Sequence, residues 1–237
     1  MLPNHSPFVI AEQFGTLDAL FPGRIARMLR KDLHASAEAF PNDVVELDAL
    51  FAGDARLPLQ ATPGQGADIQ LWILGSSLFG AQLAALLGLP YAFASHFAPA
   101  ALDRALALYR REFQPSARLD KPYVIAAINV VAAGSDDEAA LLGSSMDQAF
   151  VALRTGTPGR LKPPLEGYRD SLPPQALAML ESFREASAVG SPATVRASLA
   201  AFIARTGADE LIFAGSTYDP AARVRGLGLA MAAADGL

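Results

Sequence analysis

The residues best suited to chemistry form a short turn, Gly75-Ser76-Ser77, between an apolar stretch and a stretch of helical periodicity. Residues 69–74 have the length and the β-forming side chains of a buried strand, and the helical pattern that follows ends at Gly88. Such a turn presents backbone N–H groups at the start of a helix, an arrangement that favours anions, above all phosphate. The sequence therefore predicts an anion site here. The alternative is a purely structural turn in which Ser77 caps the helix.

A histidine, His96, follows the next predicted strand, 91–95. It therefore lies at the carboxyl end of a strand, the side on which ligands bind in α/β folds. Its imidazole could be catalytic, because histidine titrates near neutral pH. The alternative, and the more common role, is that of a structural histidine held by hydrogen bonds.

Other kinds of site are disfavoured by the sequence. The stretch 75–80 has the glycine spacing of a P-loop, but Ala81-Gln82 follows where a P-loop has Lys-Ser. The stretch 75–79 lacks the final glycine of a nucleophile elbow. The three histidines are widely separated and there is no cysteine, so no metal site is expected and disulfides are excluded.

Alternating strands and helices must position these residues. The sequence predicts four strands, whose residues are about 69–74, 91–95, 122–132 and 209–214. The third is a near-continuous run of Val, Ile and Ala, as expected for a strand buried on both faces of a parallel sheet. Helices are predicted before, between and after the strands, at about 6–21, 24–40, 44–51, 78–87, 99–113, 136–154, 175–186, 192–206 and 220–234. The helix 136–154 begins with a capping box, Ser135-Asp-Asp-Glu138. The alternation indicates an α/β fold with helical crossovers.

Composition limits the class of protein. The chain has 237 residues, 51% of them apolar, and a net charge of −5 with no basic block, so nucleic-acid binding is not expected. No apolar run reaches the length of a membrane span, and the first residues lack the basic and apolar regions of a signal peptide. We expect a cytoplasmic protein that does not bind membranes.

Five stretches, taken together, resemble the bacterial luciferase-like flavin monooxygenases, and in particular their alkanal-monooxygenase-like branch. The similarity covers nearly the whole chain, and the stretches are Asn4-His-Ser-Pro-Phe-Val-Ile-Ala-Glu-Gln-Phe-Gly-Thr-Leu17, Phe21-Pro-Gly-Arg-Ile25, Trp72-Ile-Leu-Gly-Ser-Ser77, Pro90-Tyr-Ala-Phe-Ala-Ser-His-Phe97 and Ala186-Ser-Ala-Val-Gly-Ser-Pro192. Members of this family are (β/α)8 barrels that use reduced FMN and O2. The resemblance implies a flavin-dependent monooxygenase that acts on a small organic substrate and receives its reduced FMN from a separate flavin reductase.

The resemblance also implies roles for particular residues. The turn Gly75-Ser76-Ser77 matches the segment that lies near the flavin phosphate in the family, in agreement with its expected geometry. Asn4 and His5 match the end of the third family strand, which faces the flavin ring, so Asn4 is expected to contact the cofactor. His5 and His96 are the expected catalytic residues.

The chain departs from the family pattern in two places. Met1 falls at the end of what would be the third strand, and the Gly-rich segment that the family carries after the position of Ile25 has no counterpart. We therefore expect a single domain, 1–237, that forms an incomplete (β/α)8 TIM barrel of about four parallel strands with outer helices. Open sheet edges would favour a homo-oligomer, and an open flavin pocket would impair activity. The alternative is a truncated, non-catalytic relative that serves as a flavin-binding or assembly module.

Overall fold

The computed structural model describes residues 33–58, 60–67 and 69–237. The chain divides into two compact units, of which the first ends at Leu71 and the second begins at Trp72. The single domain expected from the sequence stays a prediction. Several other predictions lie outside the described residues: the helix 6–21, most of the helix 24–40, the departure after Ile25, and the candidate site residues Asn4 and His5.

Helix α1 (Leu33–Ala52) is the main element described in the first unit. The sequence predicted two helices separated at Pro41, and this prediction was wrong, because one helix runs through the proline. Proline removes one backbone hydrogen bond from a helix interior. The apolar side of the following turns compensates for this loss, since it packs with the loop beyond the helix in a cluster of Leu47, Leu50, Phe51, Ala61 and Ile69.

The second unit contains one sheet of parallel strands. The strands are β1 (Ile73–Gly75), β2 (Tyr91–Phe93), β3 (Val124–Ala132), β4 (Ser187–Gly190) and β5 (Glu210–Ala214). The four strands predicted from the sequence are present, and they are hydrogen-bonded neighbours in the order β1–β2–β3–β5. Three of them have somewhat shorter bounds than predicted, whereas the first was predicted at 69–74 and begins only at Ile73. The predicted parallel α/β architecture is therefore confirmed.

Strand β3 organises the sheet, because it pairs with three other strands. Ile125 is the register partner of both Ala92 in β2 and Glu210 in β5, so β2 and β5 lie on opposite sides of β3. Asn129 is likewise paired with both β4 and β5. Strands β2 and β4 therefore follow each other along one side of β3, and β5 lies along the other. This central position explains the apolar run, since almost all residues of β3 are buried.

Strand β4 was not predicted, and a count of four strands was therefore too low. It has only four residues, Ser187-Ala-Val-Gly190, and follows directly on helix α5. A segment this short, with serine, alanine and glycine among its residues, has little intrinsic strand signal. It forms a strand because the last residues of β3, Asn129–Ala132, offer it a free edge.

Six helices surround the sheet: α2 (Leu78–Leu87), α3 (Leu102–Glu112), α4 (Asp136–Arg154), α5 (Pro174–Arg184), α6 (Pro192–Thr206) and α7 (Pro220–Ala234). Short 3-10 turns precede α3 and α5, at Pro99–Ala101 and Arg169–Ser171. Local signals set most of these boundaries. The Ser135 hydroxyl accepts a hydrogen bond from the Glu138 N–H at 3.2 Å, as the predicted capping box requires. Gly88 ends α2 in the left-handed conformation, with φ +60°.

Candidate functional site

The predicted anion turn joins β1, which ends at Gly75, to α2, which begins at Leu78. The hydroxyl of Tyr91, in the neighbouring strand, donates a hydrogen bond to the Ser77 carbonyl oxygen at 3.1 Å. A Cβ atom at Gly75 would lie 3.6 Å from Gly80 Cα, an ordinary van der Waals distance. The turn is thus held from β2, and its glycine is not required by a steric clash at its own Cβ.

The serine at the start of α2 does not cap the helix. Ser77 has extended backbone angles, φ −140° and ψ 165°, as an N-cap residue should, but its side chain makes no capping hydrogen bond. The corresponding side chains of α4, α6 and α7 all accept one, namely Ser135, Ser191 and Asp219. The first turn of α2 also contains no acidic residue. Its N–H groups and the Ser77 hydroxyl are therefore available to an anion.

His96 lies in the loop after β2, and two side chains hold this loop against β3. Ser95 donates from its hydroxyl to the Ala127 carbonyl oxygen. The Asn129 Nδ2 atom donates to the His96 carbonyl oxygen at 3.0 Å. Burial lowers the pKa of His96 below its ordinary value, so the imidazole is neutral at neutral pH. Its Nδ1 atom is buried and has no hydrogen-bond partner in the described part of the chain.

The structure brings two of the predicted groups to one edge of the sheet. The Ala94 N–H, just after β2, donates to the Gly75 carbonyl oxygen at 2.9 Å. The anion turn and the His96 loop are therefore adjacent, at the carboxyl ends of neighbouring parallel strands. This is the edge at which ligands bind in parallel α/β folds.

Two polar residues near this edge were not singled out from the sequence. Asn129 is 4% exposed and holds the His96 loop, and Ser187 is its register partner on β4. A signal for Asn129 existed, because it is the one polar residue in the nine-residue strand VIAAINVVA. Ser187 gave no such signal, since the strand that carries it was not predicted.

Neither a metal site nor a membrane-spanning helix is found among the described residues. No three His, Cys, Asp or Glu side chains there are grouped so that they could hold a metal ion. No helix in the same residues combines the length and the apolar character that crossing a membrane requires.

The fold, together with the polar loops at the edge of the sheet where such folds bind ligands, defines the class of protein. A parallel sheet with helical crossovers and polar loops at the carboxyl ends of its strands is the layout of barrel-type α/β enzymes. The sequence pattern of the luciferase-like monooxygenases matches residues 27–210. The chain belongs to this family.

Individual relatives agree with this assignment. A protein of Escherichia coli (strain K12) named luciferase-like monooxygenase is 46% identical over 248 residues, which cover 98% of this chain and 73% of the relative. The crystal structure of apo-MsnO8 superimposes with a TM-score of 0.83 at 32% identity and covers 98% of this chain and 75% of its own.

More distant structures share the fold alone. The oxygenating constituent of 3,6-diketocamphane monooxygenase from Pseudomonas putida, solved in complex with FMN, has a TM-score of 0.56 at 16% identity, covering 96% of this chain and 75% of its own. An F420-dependent secondary alcohol dehydrogenase, solved with an F420–acetone adduct, has a TM-score of 0.61 at 14% identity, covering 97% and 74%. Proteins of this fold thus hold FMN in one case and F420 in another.

Proposed function

We propose that this protein is an FMN-dependent monooxygenase that uses reduced flavin and O2 to oxidise a small organic substrate. Membership of the luciferase-like monooxygenase family supports the enzyme class. The choice of FMN is supported by the motifs around the anion turn and by the relative of the same fold that binds FMN. We further propose a cytoplasmic protein that receives reduced FMN from a separate reductase and forms a homo-oligomer.

The observation that carries the proposal is the uncapped start of α2. Free N–H groups, a free Ser77 hydroxyl and no acidic residue in the first turn fit a dianionic phosphate. Gly75, Ser76 and Ser77 would hold the FMN phosphate through these groups. When bound, reduced FMN supplies the electrons with which O2 is activated.

In this proposal, the protein's own residues bind and orient the cofactor. The anion turn fixes the phosphate end of the cofactor, and His96 presents a neutral imidazole from the adjacent loop. Because a neutral imidazole has one donor and one acceptor nitrogen, it can donate a hydrogen bond to the ligand or accept one from it. Asn4 and His5 are proposed on family resemblance alone to contact the flavin ring, with His5 and His96 as candidate catalytic residues.

Binding measurements with two variants of Ser77 test the phosphate site. Ser77→Asp keeps a strong N-cap residue but places a negative charge beside the phosphate. We expect it to weaken FMN binding at least tenfold in a fluorescence titration, while riboflavin, which lacks the phosphate, binds as it does to the wild type. Ser77→Ala, which removes the hydroxyl without adding charge, should have a smaller effect. An unchanged FMN affinity in Ser77→Asp would mean that the phosphate binds elsewhere.

A turnover measurement distinguishes a monooxygenase from a protein that only binds flavin or serves in assembly. The purified protein is supplied with reduced FMN, O2 and a long-chain aldehyde, and oxidation of the aldehyde is compared with the result of flavin autoxidation alone. Oxidation above this background establishes the monooxygenase. Flavin binding without oxidation would favour the second candidate, a flavin-binding or assembly module.

A further inference from the structure

A small cleft opens between the carboxyl ends of β3 and β5 and the start of α7. Its volume is about 360 Å³, part of which is open to solvent. Strand β5 ends at Ala214, which is paired with Asn129, whereas β3 continues to Ala132. Among the described strands, none pairs with the last residues of β3 on this side, and the cleft lies there. It is therefore at the edge of the sheet where parallel α/β folds bind ligands.

Two glycines bring the walls of this cleft close together. A Cβ atom at Gly215, whose φ is +141°, would lie 2.6 Å from the Val130 carbonyl oxygen. A Cβ atom at Gly226, in α7, would lie 2.8 Å from the Ala132 carbonyl oxygen. A side chain at either position would push the loop or the helix away from β3. The cleft is thus formed by tight packing of defined residues against the strand end.

The lining of the cleft combines apolar walls with two polar side chains that have no partner. The walls include Val130, Phe213 and Leu227. The polar side chains are Thr217 and Arg223, and neither makes a hydrogen bond or an ion pair within the described part of the chain. The cleft therefore presents one uncompensated positive charge and one hydroxyl beside apolar surface.

No acidic side chain among the described residues lines the cleft. Asp219 precedes α7, but its carboxylate caps that helix by accepting a hydrogen bond from the Ala222 N–H at 2.6 Å. The Arg223 guanidinium is thus available to an anion from outside the described chain.

This combination suits the carboxylate of an organic monoanion. The planar guanidinium of Arg223 can donate two parallel hydrogen bonds to a carboxylate, and the Thr217 hydroxyl can donate a third. A single cation balances one negative charge, whereas a phosphate dianion would keep a charge uncompensated. The apolar walls can cover a hydrocarbon chain attached to the carboxylate.

The cleft is well separated from the anion turn. Gly75 is in register with Phe93, Phe93 with Ala126, and Ala126 with Leu211. Ala214, at the cleft, is therefore three strands across from Gly75 and three residues further along. This corresponds to roughly 14 Å across the sheet and roughly 10 Å along it. A phosphate bound at the turn cannot also contact Arg223.

We propose that Arg223 and Thr217 form a binding site for the carboxylate of a small organic anion, with its hydrocarbon chain on Phe213 and Leu227. Two sources have this chemistry: a substrate of the flavin reaction that carries an acid group away from its reacting end, and a separate carboxylate ligand that binds independently of turnover. Only the first source rests on the function proposed above.

Hexanoate and hexan-1-ol, which differ only in the acid group, test the site in ligand-observed NMR titrations without flavin. We expect Arg223→Gln to weaken hexanoate binding about tenfold, as for the loss of charge-assisted hydrogen bonds, and to leave hexan-1-ol unaffected. Arg223→Lys keeps the charge but loses the two parallel N–H donors, so its affinity should be intermediate. Thr217→Val should lose about two- to fivefold, as for one neutral hydrogen bond.

A neighbouring arginine provides the matched control. Arg225 is also exposed and lies on α7, but it does not line the cleft. Arg225→Gln should therefore bind hexanoate like the wild type. Because the Arg223 guanidinium has no partner in the described chain, Arg223→Gln should keep the thermal unfolding midpoint of the wild type.

Turnover of two matched aldehydes identifies the source. If the ligand is the substrate, Arg223→Gln should raise the KM for 6-oxohexanoate, which carries a carboxylate, and leave the KM for hexanal unchanged. Equal effects on both aldehydes, with hexanoate binding still dependent on Arg223, would assign the site to a separate ligand. Failure to oxidise either aldehyde would count against the proposed function, while the hexanoate titrations would still decide on the site.

Two outcomes would overturn the site. The first is a wild-type protein that does not bind hexanoate, or binds it with the affinity of Arg223→Gln. The second is a tenfold loss of FMN affinity in Arg223→Gln with riboflavin affinity unchanged, which would give the cleft to the cofactor phosphate.

Discussion

Asn129 and His96 are joined by a side-chain to backbone hydrogen bond of 3.0 Å between residues 33 positions apart in the chain. The donor is the Asn129 amide in the middle of β3, and the acceptor is the His96 carbonyl oxygen in the loop after β2. Ser95 makes a second bond of this kind, to the Ala127 carbonyl oxygen. The position of the imidazole is therefore set by β3 and not by the loop alone.

Replacing Asn129 with leucine should loosen this loop. The substitution leaves the His96 carbonyl oxygen without its donor, which costs roughly 1–3 kcal/mol in the free energy of unfolding measured with urea. The His96 pKa, followed by NMR, should rise toward its ordinary value as the ring gains access to water. Ser187→Ala, at the register partner, should change neither quantity. A leucine variant with wild-type stability and pKa would contradict the assigned link.

His96 should make folding stability depend on pH. The unfolded chain takes up a proton at this histidine near pH 6.5, whereas burial delays protonation of the folded chain to lower pH. The contribution of His96 is therefore complete above pH 6.5 and is lost as the pH falls from there toward the folded pKa. Urea unfolding of wild type and His96→Gln between pH 5 and 8 should show a shallower decline in the variant. If the unfolding free energies of wild type and variant change with pH in parallel, His96 does not contribute to the pH dependence of stability.

A buried ion pair between α4 and α5 should be a major determinant of stability. Arg184 binds Asp147 with two contacts, Nε–Oδ1 at 2.8 Å and Nη2–Oδ2 at 2.7 Å, and the Asp147 side chain is 1% exposed. Arg184→Met leaves a buried carboxylate unpaired and should cost about 3–5 kcal/mol in urea unfolding. The double variant Arg184→Met/Asp147→Leu should recover most of this loss.

The exposed pair of Arg169 and Glu181, whose atoms are 3.8 Å apart, is the control for that experiment. Arg169→Met should cost less than about 1 kcal/mol, because exposed pairs are screened by water. Similar losses in the two single variants would show that burial of the Asp147 pair has no special effect.

Gly88 is expected to tolerate no side chain. Its φ is +60°, and a Cβ atom there would collide with the Gln114 carbonyl oxygen. Gly88→Ala therefore carries the cost of the left-handed conformation, about 1–2 kcal/mol, together with that of the collision. Gly156 also has a positive φ, +76°, but a Cβ there would meet nothing within 4 Å. Thermal unfolding should show a larger loss for Gly88→Ala than for Gly156→Ala, and equal losses would contradict this.

Local patterns were sufficient to predict the architecture. The apolar run of β3 and the Ser135 capping box were identified from adjacent residues, and α7 has the bounds 220–234 that the sequence predicted. The strand β4 was missed because its pairing depends on a free edge of β3 and not on its own four residues. The helix boundary predicted at Pro41 was wrong for a similar reason, since packing beyond the proline holds α1 together.

The candidate site was predicted less completely than the fold. The turn at Gly75 and the histidine His96 were found because each follows a strand directly. The link from Asn129 to His96 spans 33 positions and leaves no periodic pattern. The missing capping bond of Ser77 could not be predicted either, because a serine at this position is compatible with both a cap and an open anion site.

Because β3 pairs with three other strands, we expect that the chain can be cut into two fragments that reassemble. Strands β1 to β3 precede the segment 155–173 between α4 and α5, and β4 and β5 follow it. Both later strands pair with β3, so a fragment that begins after this segment would find its template on the fragment that precedes it. Two separately expressed halves cut in this segment are therefore expected to reassemble by strand complementation. Recovery of flavin binding would show that the two halves have reassembled.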